Sequence, residues 1–484
     1  MKLFSKYCPS YSRISVWLWN SPTFTTWGNY AVQSLRLVLV TPLILTRFDE
    51  TEIAVWYLFA TLNFFGVILS QRLGQPYTQM FAFAMGGAFD LSPIKNKEWR
   101  GARGNEPNWG AFKRAYGTIG LLSSGVAILN LLSALALGIY GITNLLNGYE
   151  GVKAGIWIAF GVLQFGQFMT YIFQRYILAL IGMNYVALIN RWGIIFSLLS
   201  IFIGCVALLF GAGIATLAIA MQLSVVLGIL RNRFLLQSVE GGRVLKFPAY
   251  SFDREVFSWA WEPSYRGFLI GMANLGSRSL IMIMVTSLPN KGIVASFLFT
   301  MRLLDTINRF SLAPLTSRTP KLARLWAQGN LSEMRREFER AFCIVVVVFL
   351  FGVWGLMYFG NPLLSLINAE AMVLGRQYLL PYLAFGLFFR LSSLFLQAAQ
   401  SANNILLARD EVLAALCGLS IVFYYIEAWG IWAILAGLTI PRFMMINFRA
   451  IFQVSYLLGL PNAQRYLTFT LVPLSLYTIL GLLV

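Results

Sequence analysis

The sequence predicts an all-α polytopic membrane protein: two six-helix bundles, related by a parallel internal repeat, around a central cavity. Three observations predict this class, namely the composition, the number of apolar runs and the alternation of charge between loops. Of 484 residues, 58% are hydrophobic and only 12% are charged, whereas soluble domains carry about 25% charged residues. A soluble core cannot bury so much apolar surface, so we exclude a soluble enzyme.

Apolar runs long enough to cross a bilayer recur along the whole chain. A spanning helix needs about 20 apolar residues, and the predicted spans are 27–46, 53–89, 117–145, 153–180, 185–210, 212–234, 257–286, 291–316, 341–367, 371–402, 411–427 and 430–456. A thirteenth run, 466–483, is left open as spanning or not. The second run is too long for one straight crossing, and Gly74 and Pro76 predict a break or kink in it.

These runs divide the chain into five predicted segments. They are a cytoplasmic or interfacial N-terminal segment 1–26, an N-terminal bundle 27–234, a cytoplasmic linker 235–256, a C-terminal bundle 257–456 and an extra hydrophobic segment 457–484. Within the first segment, Trp17 and Trp19 favour the headgroup zone. We therefore expect a short interfacial helix there rather than a cleaved signal.

The net charge of +18 is explained by topology. With the N-terminus placed in the cytoplasm, the inside segments hold 24 Lys and Arg and the outside loops hold 4. Cytoplasmic loops of membrane proteins are enriched in Lys and Arg, so this bias supports both the orientation and the span count. No nucleic-acid partner is predicted.

An internal repeat relates the two halves. Phe112-Lys113-Arg114-Ala115-Tyr116 parallels Phe338-Glu339-Arg340-Ala341-Phe342, and each follows a basic loop that contains Gly-Asn. Because each half has an even number of spans, both halves enter the membrane from the same side. The repeat is therefore parallel, about an axis along the membrane normal.

Two stretches resemble a known superfamily. The segment 320–331, PKLARLWAQGNL, resembles the connection between the eighth and ninth helices of the multidrug/oligosaccharidyl-lipid/polysaccharide (MOP) exporters. The opening Thr41-Pro42-Leu43-Ile44-Leu45, followed by an acidic turn and Trp56-Tyr57-Leu58-Phe59, is similar to the start of polysaccharide-unit and O-antigen flippases of the Wzx type. Those flippases most often have 12 spans, so the run 466–483 departs from their pattern.

The resemblance implies a function and a location. The cargo would be an undecaprenyl-diphosphate-linked oligosaccharide unit, flipped across the bacterial inner membrane for O-antigen, capsule or exopolysaccharide assembly. The partners implied are the lipid-linked substrate, membrane lipids, a polysaccharide polymerase and chain-length proteins. Transport would proceed by alternating access.

Charged residues inside the predicted spans are mostly arginines. Each costs about 2.5–3.5 kcal/mol at a helix centre on insertion scales, so each should face a cavity or a partner. The predicted cavity residues are Arg36, Arg72, Glu262, Arg266, Arg302, Asp305, Arg309 and Arg390. Asp305 should pair with Arg302 or Arg309 on its own helix, unless these charges only fix helix packing. Arg191, Arg278 and Arg442 are assigned to helix ends, where their side chains reach the headgroups.

Amide side chains form polar stripes on two spans. The fourth span contributes Gln164 and Gln167, and the tenth contributes Gln397 on the face of Arg390. Amides in lipid need partners, and sugar hydroxyls would supply many. The alternative is hydrogen bonding between helices.

Two other function classes compete with the flippase. A multidrug or metabolite exporter of the same superfamily would usually want acidic residues in its cavity. A membrane glycan polymerase would need a large outside loop, and the chain has no His and no suitable pair of carboxylates. We predict no enzyme activity, no metal and no cofactor. No Gly-rich loop for ATP phosphates is present, and coupling to H⁺ or Na⁺, or to product consumption, is left open.

Overall fold

A computed structural model describes residues 19–62, 64–92, 106–147, 153–285, 288, 291–366 and 373–458, and every regular element in these ranges is helical. The α-helices are α1 Pro22–Arg47, α2 Glu50–Leu62, α3 Phe64–Met85, α4 Trp109–Leu145, α5 Lys153–Ile172, α6 Gln174–Gly182, α7 Val186–Leu209, α8 Ile214–Ser238, α9 Arg254–Val285, α10 Lys291–Thr316, α11 Thr319–Ala327, α12 Leu331–Leu366, α13 Arg376–Ser401, α14 Ala408–Trp429, α15 Ile431–Arg442 and α16 Phe448–Leu458. Within the described ranges, nine helices are long and apolar enough to cross a membrane.

The described chain divides into two compact units. Described residues through Ser264 form unit 1, and those from Tyr265 onward form unit 2. The predicted bundle boundaries stay predictions. Residues 1–18 of the predicted N-terminal segment and the run 466–483 lie outside the described residues.

Unit 1 is built around a core of aromatic and branched side chains. Helix α1 begins after Ser21, whose side chain accepts a hydrogen bond from the Phe24 backbone N–H, and Pro22 suits the first helical position. Helix α1 packs mainly on α7, and α5 packs on α8. Phe59 of α2 stacks on Phe160 of α5, with the ring centroids 5.8 Å apart. Because lipid tails are as apolar as these side chains, close packing rather than burial from water holds such helices together.

The second predicted span is helical where the break was predicted. Helix α3 runs from Phe64 to Met85 without interruption through Gly74 and Pro76. A proline removes the backbone hydrogen bond to the carbonyl four residues earlier, which for Pro76 is the carbonyl of Arg72. Two residues along, the Thr78 hydroxyl donates to the Gly74 carbonyl at 3.2 Å.

The segment before α9 is docked on α4 by several short contacts. The Ser251 backbone N–H donates to the Gly117 carbonyl at 3.3 Å, and the Asp253 N–H donates to the Thr118 hydroxyl at 3.2 Å. A Cβ on Gly120 would lie 1.9 Å from the Ala249 carbonyl oxygen, so glycine is required there. The predicted linker is therefore an ordered part of unit 1.

Ion pairs to Arg114 of α4 hold the end of this segment in place. Arg114 Nε donates to Asp253 at 2.5 Å, and its Nη2 reaches Glu255 in the first turn of α9. The hydrogen bond from Arg114 is the first cause that lowers the pKa of the Asp253 carboxyl. The Asp253 carboxylate thus stabilises the docked segment when it is ionised.

We expect Asp253→Asn to lower the thermal unfolding midpoint of purified protein at pH 7 by roughly 2 °C. A lowered pKa gives stability that is complete above the ordinary carboxyl pKa of about 4 and lost as pH falls through the folded value. The midpoint of the variant should therefore depend less on pH between about 5 and 3 than that of the unaltered protein. Glu339→Gln is the control, because the exposed Glu339–Arg335 pair should contribute little. Identical pH profiles for Asp253→Asn and the unaltered protein would contradict the prediction.

Unit 2 contains two closely packed helix pairs. Helix α10 packs on α12, and α14 packs on α15. The second pair meets at two glycines: a Cβ on Gly418 would lie 2.4 Å from the Gly437 carbonyl oxygen, and one on Gly437 would lie 2.6 Å from the Gly418 carbonyl oxygen. Small residues of this kind let membrane helices approach backbone to backbone.

The twelfth predicted span is interrupted by a change of helix type. A π-helical segment, Phe443–Asn447, separates α15 from α16. Such segments are rare and often mark functional sites. In unit 2, this one borders a polar cavity.

The repeated sequence motif occupies equivalent positions in the two units. Phe112, Ala115 and Tyr116 near the start of α4 are buried, and so are Phe338, Ala341 and Phe342 in the first turns of α12. The aligned side chains thus have the same burial in both units.

Candidate functional site

A polar cavity of about 270 Å³ lies within unit 2. Its charged lining consists of three arginines and one carboxylate, which are Arg278, Arg390, Arg442 and Glu411. Asparagines 274, 308 and 447 also line it. The lining therefore has a positive balance of charge and many hydrogen-bond donors.

Arg390 is the most deeply placed of these arginines. Only 7% of the residue is exposed, and its guanidinium lies 5.3 Å from the ring centroid of Phe349. Its Nη2 donates to the Asn308 side-chain oxygen, and its Nε–H has no hydrogen-bond partner among the described residues. A buried guanidinium held by a neutral amide keeps its full positive charge toward the cavity.

Arg442 and Asn447 come from the two ends of the π-helical region. Arg442 donates to the Asn274 side-chain oxygen. Asn447 is 1% exposed, and neither its amide nitrogen nor its amide oxygen has a partner within the described parts of the chain. Buried amides without partners are costly, about 1–3 kcal/mol for each group. Asn447 is therefore a polar group available to a ligand.

Asp305 pairs differently from the prediction. Its carboxylate lies 2.6 Å from Nη1 of Arg278 on α9, rather than pairing with Arg302 or Arg309 on its own helix. Asp305 is half-buried, whereas Arg302 and Arg309 are exposed. An interior carboxylate gains more from a partner at the interior than from one on the exposed face, because screening is weaker there.

The other predicted residues near unit 2 have mixed roles. Arg266 donates to the Ile405 carbonyl at 3.3 Å, and Gln397 donates to the Thr316 hydroxyl at 2.9 Å. Neither residue is among those that line the cavity. Glu262 is half-buried on α9 and belongs to unit 1. The structure thus places only Arg390 of the predicted set in the cavity lining.

Apart from Glu262, the predicted residues of unit 1 lie on three helices. Arg36 is exposed on α1, where its guanidinium contacts the Met221 sulfur, and Arg72 is half-buried on α3. Gln164 on α5 is 2% exposed, and its amide has no partner among the described residues.

One residue of the amide stripe forms hydrogen bonds to a neighbouring helix. Gln167 is half-buried on α5. Farther along the same stripe, Gln174 accepts from the Ser70 hydroxyl at 2.8 Å and donates to the Ser70 carbonyl at 3.0 Å. At Gln174, hydrogen bonding between helices is the role that the geometry shows.

Sequence reasoning missed several cavity residues. Arg278 and Arg442 were assigned to helix ends, yet both line the cavity, together with Asn447 and Glu411. One available signal was Asn274 four residues before Arg278, which puts an amide on the same helical face. No comparable signal marked Asn447.

Among the described residues, no cluster of three or more acidic, Cys or His side chains could hold a metal ion.

Comparison with solved structures identifies the fold of this chain. No protein-family model matches the chain, and no curated protein matches it. A multidrug resistance MATE family transporter of the MOP superfamily, in an outward-facing conformation, superposes with a TM-score of 0.67 over 91% of this chain and 98% of that chain, at 14% identity. The chain has the MATE transporter fold.

Two further structures support the MATE fold. A mutant MATE transporter from Vibrio cholerae matches with a TM-score of 0.67 and 15% identity, over 95% of this chain and all of that one (100%). A MOP superfamily transporter from Pyrococcus furiosus, described as having a binding pocket of reverse polarity that suggests a different function, matches with a TM-score of 0.66 and 16% identity, over 91% of this chain and 98% of that one. The predicted all-α, two-bundle, multi-pass membrane class is confirmed, as is the likeness to MOP superfamily structures.

Proposed function

We propose that this protein is a flippase for undecaprenyl-diphosphate-linked oligosaccharide units, acting in the bacterial inner membrane by alternating access. The MATE fold supports a membrane exporter, and the finer assignment rests on the chain's own residues. The units would be precursors of a surface polysaccharide. A polymerase and chain-length proteins are the proposed partners, and an H⁺ or Na⁺ gradient is the proposed driving force.

The observation that carries this proposal is the exposed arginine face of α10. Helix α10 has 26 residues, about 39 Å at 1.5 Å per residue, which is long enough to cross a membrane. Its charged residues keep it out of the nine helices that are also apolar enough, and we place it across the membrane as part of this proposal. Asp305 forms an ion pair with Arg278. Arg302 and Arg309 are exposed, and neither has a carboxylate partner among the described residues. Exposed arginines on a spanning helix favour a water-filled route over lipid, because lipid contact is costly.

Such a face suits a diphosphate headgroup. Arginine binds phosphate oxygens with two parallel hydrogen bonds, and a hydrated route spares the guanidinium the cost of entering lipid. On α1 of unit 1, the exposed Arg36 has no carboxylate partner within the described ranges either. Exposed positive charge on a long helix of each unit fits an anionic cargo.

A multidrug or metabolite exporter is the second candidate. It is favoured by the fold, because a structural relative is a multidrug resistance MATE family transporter. The unpartnered arginines of α10 argue against cationic drugs as cargo, since like charges repel. A glycan polymerase is a weaker third candidate.

The deciding experiment is a chromosomal deletion with complementation. We expect the deletion strain to accumulate lipid-linked oligosaccharide on the cytoplasmic face of the inner membrane and to lose its surface polysaccharide. Both defects should be restored by the intact gene. Normal polysaccharide together with increased sensitivity to several unrelated drugs would instead support the multidrug exporter.

A further inference from the structure

We propose that unit 2 contains a binding site for a small phosphate-type oxyanion, formed by Arg390, Arg442 and Asn447 in the cavity beside the π-helical segment. This site is separate from the exposed arginine face of α10, and the inference does not rest on the proposed flippase function. The ligand would be a single phosphate group, either free inorganic phosphate or the phosphate of a prenyl diphosphate lipid.

The first support is the charge of the lining. Three arginines face one lining carboxylate, Glu411, and Arg278 is already paired with Asp305. Arg390 and Arg442 are held by the neutral side-chain oxygens of Asn308 and Asn274. A guanidinium has five N–H donors, and an amide oxygen does not neutralise its charge. An anion would offset the cost of burying the Arg390 charge.

The second support is the set of unused hydrogen-bonding groups. The Nε–H of Arg390 and both amide atoms of Asn447 are buried without partners among the described residues. Native proteins pair nearly all buried polar groups, so an unpartnered group in a cavity wall points to a ligand. Over the two guanidiniums and the Asn447 amide, N–H groups outnumber oxygens, which favours an acceptor-rich ligand such as phosphate.

The third support is size. Pockets for drug-sized molecules span about 300–1,000 Å³, and this cavity measures about 270 Å³. A headgroup of several sugars exceeds that space, whereas one phosphate fits. Chloride would fit too, but it is one acceptor atom, whereas phosphate has oxygens spaced to accept two parallel N–H bonds from a guanidinium. Small cations are disfavoured by the arginines.

The test is a binding titration of the purified full-length protein in lipid nanodiscs. Inorganic phosphate and a short-chain prenyl diphosphate are titrated separately, with sodium chloride held at matched ionic strength, and the heat of binding is recorded. We expect saturable phosphate binding and at least 10-fold weaker binding in Arg390→Gln and Asn447→Asp. Asn447→Asp keeps the shape of the side chain while placing a negative charge at the ligand. Arg390→Lys keeps the charge and should retain part of the affinity.

A matched control separates this site from the arginine face of α10. Arg302→Gln removes an exposed arginine of unit 2 that does not line the cavity, and it should leave phosphate affinity unchanged. Saturable phosphate binding that weakens in the cavity variants alone supports the site, and a prenyl diphosphate that competes for it would identify a lipid source. No saturable phosphate binding, chloride binding as tight as phosphate, or equal loss in Arg302→Gln would overturn the proposal. None of these outcomes alters the deletion phenotype, so the flippase function is tested independently.

Discussion

Replacing Arg302 and Arg309 together with alanine is expected to lower transport about 100-fold while leaving the protein in the membrane. Each charge-assisted hydrogen bond to a phosphate contributes about 1.5–3 kcal/mol, and each 1.4 kcal/mol corresponds to about a factor of ten. The measurement is flipping of a lipid-linked oligosaccharide by purified protein in proteoliposomes. Lysine at both positions should rescue transport in part, because it keeps the charge but loses the planar fork.

The control for this variant is Arg335→Ala. The exposed side chain of Arg335, near the start of α12, pairs with Glu339 four residues later, and such surface pairs contribute little. Its loss should leave flipping unchanged at equal protein amounts. If the double variant transports as fast as Arg335→Ala, the arginine face does not bind the cargo, and the multidrug exporter becomes the better assignment.

Adding one methyl group at Gly418 or Gly437 is expected to destabilise unit 2 by roughly 1–3 kcal/mol. In each alanine variant the new Cβ would meet the carbonyl oxygen of the other glycine, at 2.4 or 2.6 Å in the unaltered packing. Backbone lies on both sides of the contact, so α14 and α15 would have to separate. The thermal unfolding midpoint of the purified protein should fall by several degrees, and less protein should be recovered from membranes.

Gly355→Ala on α12 is the matched control. An added Cβ there meets nothing within 4 Å, and alanine favours a helix by about 1 kcal/mol relative to glycine. Its midpoint should be equal to that of the unaltered protein or slightly higher. A midpoint for Gly418→Ala as high as that of Gly355→Ala would show that the two helices are not held in backbone contact.

The class of fold was predictable because composition and the length of apolar runs can be read directly from the sequence. Apolar runs predicted α7 and α8 within a few residues of their observed bounds, Val186–Leu209 and Ile214–Ser238. Breaks inside spans were harder to predict. Pro76 is tolerated in α3, whereas the fourth predicted span divides at Phe173, between α5 and α6. Whether a helix continues through such a position depends on which neighbours satisfy its backbone, and a single sequence does not contain that information.

The site was predictable in kind but not in detail. An excess of arginine over acid in the spans could be counted, and one of the predicted cavity residues, Arg390, lies in the lining of the unit 2 cavity. The ion-pair partner of Asp305 could not be assigned from the sequence. Its carboxylate pairs with Arg278 on another helix and not with either of the two arginines on its own helix. Which arginine pairs with Asp305 depends on how deeply the side chains of Arg278, Arg302 and Arg309 lie in the fold.

Sequence by itself determined that this chain crosses a membrane many times as two helical halves with arginine inside, because hydropathy and charge are local properties. Tertiary structure alone decided which polar groups converge. Asn447 lies five residues after Arg442, a spacing that points away from it on a regular α-helix. The π-helical turn between them has a wider period and brings both to one cavity. Local helix type responds to the packing of neighbouring helices, so this convergence exists only once α13, α14 and α15 are in contact.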